Sequence, residues 1–175
     1  FSLSRRYLKA FRQAGIDIKP FRTWRWGKRR RFQINFRNHR KIVVVDGRTA
    51  FIGGANVGDE YLSRDRHLTP WRDTHLELQG PSVHGAQLSF LEDWYWAVSE
   101  VPELNWHPQG EISDQRVLVL PTGPADRSET CQLMFLHAIN SAKERLWIVS
   151  PYFVPDDAIL KALKLASLRG VDVRL

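Results

Sequence analysis

Asn38-His39-Arg40-Lys41-Ile42-Val43-Val44-Val45-Asp46 runs on, six residues later, to Gly53-Gly54-Ala55-Asn56. Residues 41–45 and 49–52 read as two strands. Asp46-Gly47 between them is a strong hairpin signal, because both residue types accept the backbone conformations of a tight turn. Gly53-Gly54 ends the second strand and lets another backbone come close. Side chains alternate along a strand, so His39 and Lys41 are expected on the same face. An imidazole beside an ammonium suits phosphate chemistry. The lysine holds the anionic phosphate, and its charge disfavours protonation of the histidine. A neutral imidazole can then attack phosphorus. Asn56 can donate an amide N–H to a phosphoryl oxygen. A nearby carboxylate would fix the histidine tautomer and steady its cationic form.

The flanking sequence alternates helix and strand signals, which argues an α/β class. Residues 4–14 carry Leu8, Phe11 and Ala14 at helical spacing, and Gly15 is placed to end that helix. Residues 16–19 alternate like a strand. Residues 20–38 are rich in arginine and aromatics and read as an irregular loop. A polar loop spans 57–70, and 75–78 is a short strand. Gly80-Pro81 opens a helix to about Val98. A polar connector follows, then a strand at 117–120. Asp126 and Glu129 have capping-box spacing for a helix to about Arg145. Strands are expected at 146–150 and 171–175, with a helix from Pro155-Asp156 to Gly170 between them. Trp94 to Trp96, Cys131 and Met134 lie on the two amphipathic helices and are expected mainly in the core. One weak echo suggests a repeat: Leu8-Lys9-Ala10-Phe11 leads to Gly15-Ile16-Asp17-Ile18, and Leu160-Lys161-Ala162-Leu163 leads to Gly170-Val171-Asp172-Val173.

Composition narrows the function. At 175 residues, 43% hydrophobic and 26% charged, the chain is globular and neither disordered nor collagenous. A single cysteine, Cys131, excludes an internal disulfide framework and a multi-cysteine zinc site. No run of about 18 apolar residues is present, and no signal peptide is visible. The start at Phe1 and the strand-like end at Leu175 suggest a piece of a longer chain. Fourteen of the 26 Lys and Arg fall in residues 1–41 beside one acid, Asp17, so that segment carries +13 and the remainder −6. Such polarity points to a polyanionic partner: nucleic acid, anionic lipid or a phosphate-bearing substrate. The arginine–tryptophan mixture of the 21–37 loop suits a membrane interface or single-stranded nucleic acid.

The whole set His39-x-Lys41-x4-Asp46-x6-Gly53-Gly54-x-Asn56 resembles the HKD signature of the phospholipase D superfamily. Residues 35–41, 58–61, 71–75, 90–94 and 150–155 resemble bacterial cardiolipin synthases, and that resemblance covers essentially the whole chain. It implies an α/β fold: a phospholipase D-like mixed β-sheet flanked by helices, the end of the first half plus the start of the second half of a pseudo-twofold repeat. Residues 1–115 would close the first half and carry the HKD motif, and 116–175 would open the second.

The resemblance also implies roles. His39 would be the nucleophile or its acid–base partner. Lys41 and Asn56 would bind phosphate, and Asp73, the Asp of a Trp-x-Asp segment, would orient the histidine. Asp46, Gly53 and Gly54 would support the site. Asp59 and Glu60 would line the pocket or cap local structure. No metal and no cofactor are expected, because lysine and asparagine supply the charge stabilisation. His67, His84, His107 and His137 show no metal-ligand grouping.

The superfamily builds its active site from two HKD motifs, and only His39 here has a lysine two residues later. The second motif would come from another half of the same protein or from a second subunit. The implied reaction is phosphatidyl transfer between two phosphatidylglycerol molecules through a phosphohistidine, giving cardiolipin at the bacterial inner membrane. The alternatives are a phospholipase D-type hydrolase, a phosphatidylserine synthase, an HKD nuclease, and a non-catalytic membrane-surface module. The flanking stretches favour phosphatidylglycerol and an anionic membrane surface over nucleic acid as the partner.

Overall fold

A computed structural model describes residues 3–21, 38–64, 67, 70–110, 113–123, 126–150 and 152–175. Most of the basic aromatic loop, residues 22–37, lies outside the described residues. The chain forms two compact units, residues 1–120 and 121–175. The described residues make a mixed α/β structure with small sheets and four α-helices.

Unit 1 begins with helix α1, Arg5–Gln13, capped by the Ser4 hydroxyl, which accepts from the Tyr7 N–H at 3.2 Å. Gly15 ends it with φ +75°, a conformation that only glycine adopts without cost. The expected strand at 16–19 does not form, and the segment has no strand to pair with among the described residues. Strands β1 (Ile42–Val45), β2 (Thr49–Gly53) and β3 (His75–Gln79) form an antiparallel meander in the order β1-β2-β3. Val45 pairs Thr49 and Ile42 pairs Ile52, while Ala50 pairs Leu78 and Gly53 pairs His75.

The first turn is closed by Arg48 N–H donating to the Val45 carbonyl at 2.9 Å. Asp46 (φ +55°) and Gly47 (φ +67°) both lie in the left-handed region, as a turn matching strand twist requires. The 99–107 connector pins this turn. Asn105 Nδ2 donates to the Asp46 carbonyl at 2.7 Å, and buried Gln87 donates to the Asn105 carbonyl at 2.8 Å. That carbonyl comes so near Gly47 that a Cβ there would overlap it.

Helix α2, Ser82–Val98, covers one face of the meander. Alternation directs Ile42, Val44, Ala50, Ile52 and Leu78 to that face, where they meet Val83, Ala86 and Val119. Burying Val83 completely is worth about 1.5–3 kcal/mol. Residues 117–120, expected as a strand, take no strand conformation. Val119 instead packs against this core and over Gly85, and compact unit 1 extends to Leu120. The buried positions of α2 are Val83, Ala86, Gln87 and Ser89, so Tyr95 and Trp96, expected mainly in the core, are exposed.

Unit 2 contains α3 (Thr130–Ser141), β4 (Arg145–Trp147), α4 (Asp157–Leu168) and β5 (Asp172–Arg174), with β4 and β5 parallel. A helix is the usual crossover between parallel neighbours. The core joins Ile139, Ala162, Leu163, Ala166 and Val171 with Leu136, Leu146, Ile148, Ile159 and Val173. Helix α3 is shorter than its expected 126–145. The Asp126 carboxylate accepts from Ser128 N–H and Thr130 N–H, and Glu129 takes φ +50°, so helix begins only at Thr130. Its other end is held by Arg169, which donates to the carbonyls of Ile139, Asn140 and Ala142. Cys131 and Met134 are exposed rather than core.

Asp156 caps α4 and accepts from Ile159 N–H at 2.9 Å and from Gln132. Gly170 (φ +89°) ends α4 as Gly15 ends α1. After Gly170 a strand does form, because β4 is there to pair with it.

Candidate active site

Of the predicted site residues, Lys41, Gly53, Gly54 and Asp73 lie together at one end of the unit 1 meander. Lys41 directly precedes β1, and its carbonyl accepts from Gly53 N–H at 3.4 Å, so the ladder reaches one residue beyond the strand. Gly53 in turn pairs His75, and Gly54 N–H donates to the Thr74 carbonyl at 3.3 Å. Lys41, the glycine pair and residues 73–75 are thereby brought side by side from three separate strands.

The double glycine has a steric reason. A Cβ on Gly53 would overlap the ring of His75 and the carbonyl of Thr74. A Cβ on Gly54 would overlap the carboxylate of Asp73. The expected close backbone approach is therefore real, and Asp73 and His75 are what approach.

His39 is exposed and Lys41 half-exposed. Neither makes a side-chain hydrogen bond or ion pair with another described residue. His39 and Lys41 precede the strand rather than lying in it.

Asp73 accepts from its neighbour Thr74 N–H at 2.7 Å, and Trp71 Nε1 approaches its other oxygen at 3.4 Å. No hydrogen bond joins it to His39. Asn56 Nδ2 donates to the Tyr61 hydroxyl at 2.5 Å. The Tyr61 and Trp71 rings meet edge-on with centroids 4.8 Å apart. Asn56, Tyr61, Trp71 and Asp73 therefore form a continuous chain of contacts along one side of the site. Tyr61 and Trp71 were not singled out from sequence as site residues; their presence in the stretches 58–61 and 71–75 was the only signal.

Asp59 and Glu60 open a short 3-10 helix, Asp59–Leu62, that carries Tyr61. Asp59 is exposed and 3.8 Å from Arg64, and Glu60 folds back over Gly58. Asp46 lies at the opposite end of β1 from Lys41, where its carbonyl is tied to Asn105.

Sequence reasoning missed Asp93. Its two oxygens accept from Asn38 Nδ2 at 2.6 Å and Arg40 Nη1 at 2.8 Å. Asn38 Oδ1 also accepts from Arg40 N–H at 2.9 Å. Alternation separates Asn38 and Arg40 from His39 and Lys41, which was a usable signal, but only the fold shows which helix they reach. A cavity of about 320 Å³ borders this clamp, between residues 17–21 and α2. His39, Lys41 and Asn56 do not line it. Among the described residues no three His, Cys, Asp or Glu side chains group as metal ligands, and no helix is long and apolar enough to cross a membrane.

Comparison with known proteins places the chain beside cardiolipin synthases. The family model "Cardiolipin synthase, PLD-like domain" matches residues 135–175, within unit 2. Cardiolipin synthase A of Pseudomonas aeruginosa (strain PAO1) is 55% identical over 174 residues, covering 99% of this chain and 35% of that protein. Cardiolipin synthase A of Pseudomonas fluorescens (strain SBW25) is 55% identical over 177 residues, covering 99% and 36%. That of Pseudomonas putida (strain W619) is 55% identical over 172 residues, covering 97% and 35%. The chain thus spans about a third of the length of these relatives. No solved structure gives a significant match. The relatives cover the HKD segment of unit 1 as well as unit 2, so the likeness to cardiolipin synthase A runs along essentially the whole chain.

Proposed function

We propose that this chain supplies one half-site of a phosphatidyltransferase that makes cardiolipin from two phosphatidylglycerol molecules. The supporting observation is the gathering of Lys41, Gly53-Gly54 and Asp73 from three strands at one sheet end, with His39 exposed beside them. In the reaction, the His39 imidazole, or its counterpart from a second HKD motif, attacks phosphorus of phosphatidylglycerol. The bond to glycerol oxygen breaks, and the other histidine protonates the departing alcohol. A hydroxyl of a second phosphatidylglycerol then attacks the phosphohistidine, giving its proton to the histidine that had acted as acid. Phosphorus leaves the imidazole nitrogen, cardiolipin is released, and both histidines return to their starting state.

Lys41 and Asn56 hold the phosphoryl oxygens, where fixed donors favour the charge that builds in the transition state. Asp73 orients and steadies the imidazolium. Gly53 and Gly54 keep backbone close to the phosphate, Asp46 anchors the hairpin, and Asp59 and Glu60 border the acceptor side. One HKD motif provides one histidine and the mechanism uses two. The second comes from another HKD half of the same protein or from a second subunit. Residues 1–115 are assigned to the close of the first phospholipase D-like half and 116–175 to the opening of the second. The +13 charge of residues 1–41 favours an anionic membrane surface, in keeping with a place at the bacterial inner membrane.

The test incubates the full-length protein, its His39→Ala variant and the 175-residue chain with phosphatidylglycerol in mixed micelles, with lipids and released alcohol read by mass spectrometry. Cardiolipin plus glycerol from the full-length wild type alone is expected. Phosphatidic acid would assign a hydrolase instead. Turnover by His39→Ala at the wild-type rate overturns the reading.

A further inference from the structure

We propose that Asp93 is a positioning residue for His39, acting through Asn38 and Arg40. This rests on the reading of His39 as a reacting group. The two flanks of His39 end on the same carboxylate: Asn38 Nδ2 at 2.6 Å on one oxygen, Arg40 Nη1 at 2.8 Å on the other. Asn38 Oδ1 closes the loop by accepting from Arg40 N–H. His39 therefore sits between two anchors, and its backbone is fixed from both sides while its ring stays exposed.

The platform is rigid. Val83, Ala86, Phe90 and Asp93 follow helical spacing along α2, and Val83 and Ala86 are fully buried against the meander. Ten residues of helix separate Val83 from Asp93, about 15 Å. That carries the carboxylate past the packed core to the place where the chain enters β1. Arg40 and Asp93 are both about three-quarters buried, so their charge-assisted bonds are stronger than those of a surface pair. A misplacement of about 1 Å at a reacting group costs on the order of 10²-fold in rate, and this clamp is what restrains His39 at its backbone.

The test uses the full-length protein, with kcat and KM on phosphatidylglycerol and the ring 1H–13C signals of its histidines. The His39 signal is identified by its loss in His39→Ala. His84, whose ring contacts the Trp106 carbonyl at 3.0 Å in the same unit, reports an intact fold. Asp93→Ala is expected to lower kcat about 10- to 100-fold with KM within about twofold. It should shift or broaden the His39 signal and leave His84 unchanged. Adding Asn38→Ala should cost little more, since both act through one carboxylate. A kcat within twofold of wild type overturns the proposal. If Asp93→Ala also loses the His84 signal, Arg40→Lys decides: an unmoved His39 signal and unchanged kcat overturn it, and a shifted signal with lower kcat supports it. If the wild type yields no lipid product, the reaction reading fails on its own. The His39 signal in Asp93→Ala still decides this one, and an unmoved signal rejects it.

Discussion

The carboxylate of Asp73 lies against the backbone of Gly54 so closely that no side chain fits between them. The neighbouring glycine, Gly53, is shut in by the Thr74 carbonyl and the His75 ring. These two contacts differ in kind. Around Gly54 the obstacle is a side-chain tip; around Gly53 it includes main chain that a strand holds in place.

The two glycines should therefore respond differently to alanine. Gly53→Ala should destabilise the protein by about 1–3 kcal/mol, because the clash is with backbone of β3. Gly54→Ala should cost less stability, since Asp73 can rotate away. It should lose more activity, roughly 10- to 100-fold in kcat, because that rotation misplaces the carboxylate. Urea midpoints and kcat on phosphatidylglycerol, measured on both variants, check the contrast. Equal effects on both quantities would refute it.

Tyr61 offers a milder probe. Its hydroxyl accepts from Asn56, so Tyr61→Phe removes one hydrogen bond while keeping the ring packed on Trp71. A net hydrogen bond is worth about 0.5–1.5 kcal/mol. The expected result is a two- to twelvefold loss in kcat with an unchanged far-ultraviolet spectrum. Asn56→Ala should cost more, because it removes the amide that we propose holds the phosphate.

At the far end of the hairpin, Gly47 has positive φ and no room for a Cβ beside the Asn105 carbonyl. Gly47→Ala combines backbone strain of about 1–3 kcal/mol with that overlap. It should lower the melting temperature sharply, whereas Asn105→Ala, which loses the bond to the Asp46 carbonyl, should lower it less. Thermal unfolding of both variants provides the comparison.

Unit 2 should show an acid-sensitive cap. The Ile159 N–H, and then the Gln132 amide, hold the Asp156 carboxyl below its ordinary value of 3.8. A carboxyl depressed in the folded state contributes stability above its unfolded value, and that contribution is lost as pH falls through the folded value. Asp156→Ala should thus lower the melting temperature near pH 7. The gap from wild type should close as pH drops below the ordinary carboxylate range. A gap that persists unchanged at pH 2 would argue that packing, not the charged cap, is responsible.

Much of this molecule was readable along the chain. The hairpin followed from Asp46-Gly47 between two β-branched runs, the glycine-terminated helices from Gly15 and Gly170, and the α4 start from Asp156, because each rests on interactions within a few residues. The HKD spacing likewise singled out His39, Lys41 and Asn56 as a candidate group, and the fold brings Lys41 beside Gly53-Gly54. Where local signals failed, the reason was a missing or distant partner. Residues 16–19 alternate as a strand should, but a strand needs a neighbour. Residues 117–120 were expected as a strand, but Val119 spends its side chain on the α2 core. Glu129 had capping-box spacing, yet its left-handed backbone delays α3 by four residues.

What the sequence alone determined, then, is the chemistry: which residue types stand at which spacing, and that they suit phosphate. What only the tertiary structure decided is who touches whom across long separations. Asp73 meets Gly54 because β3 pairs β2. Asp93 grips Asn38 and Arg40 because α2 lies along the meander and projects beyond it. Spacing rules act within a strand or a helical turn. A contact spanning more than fifty residues depends on how the elements pack, and no local pattern encodes it.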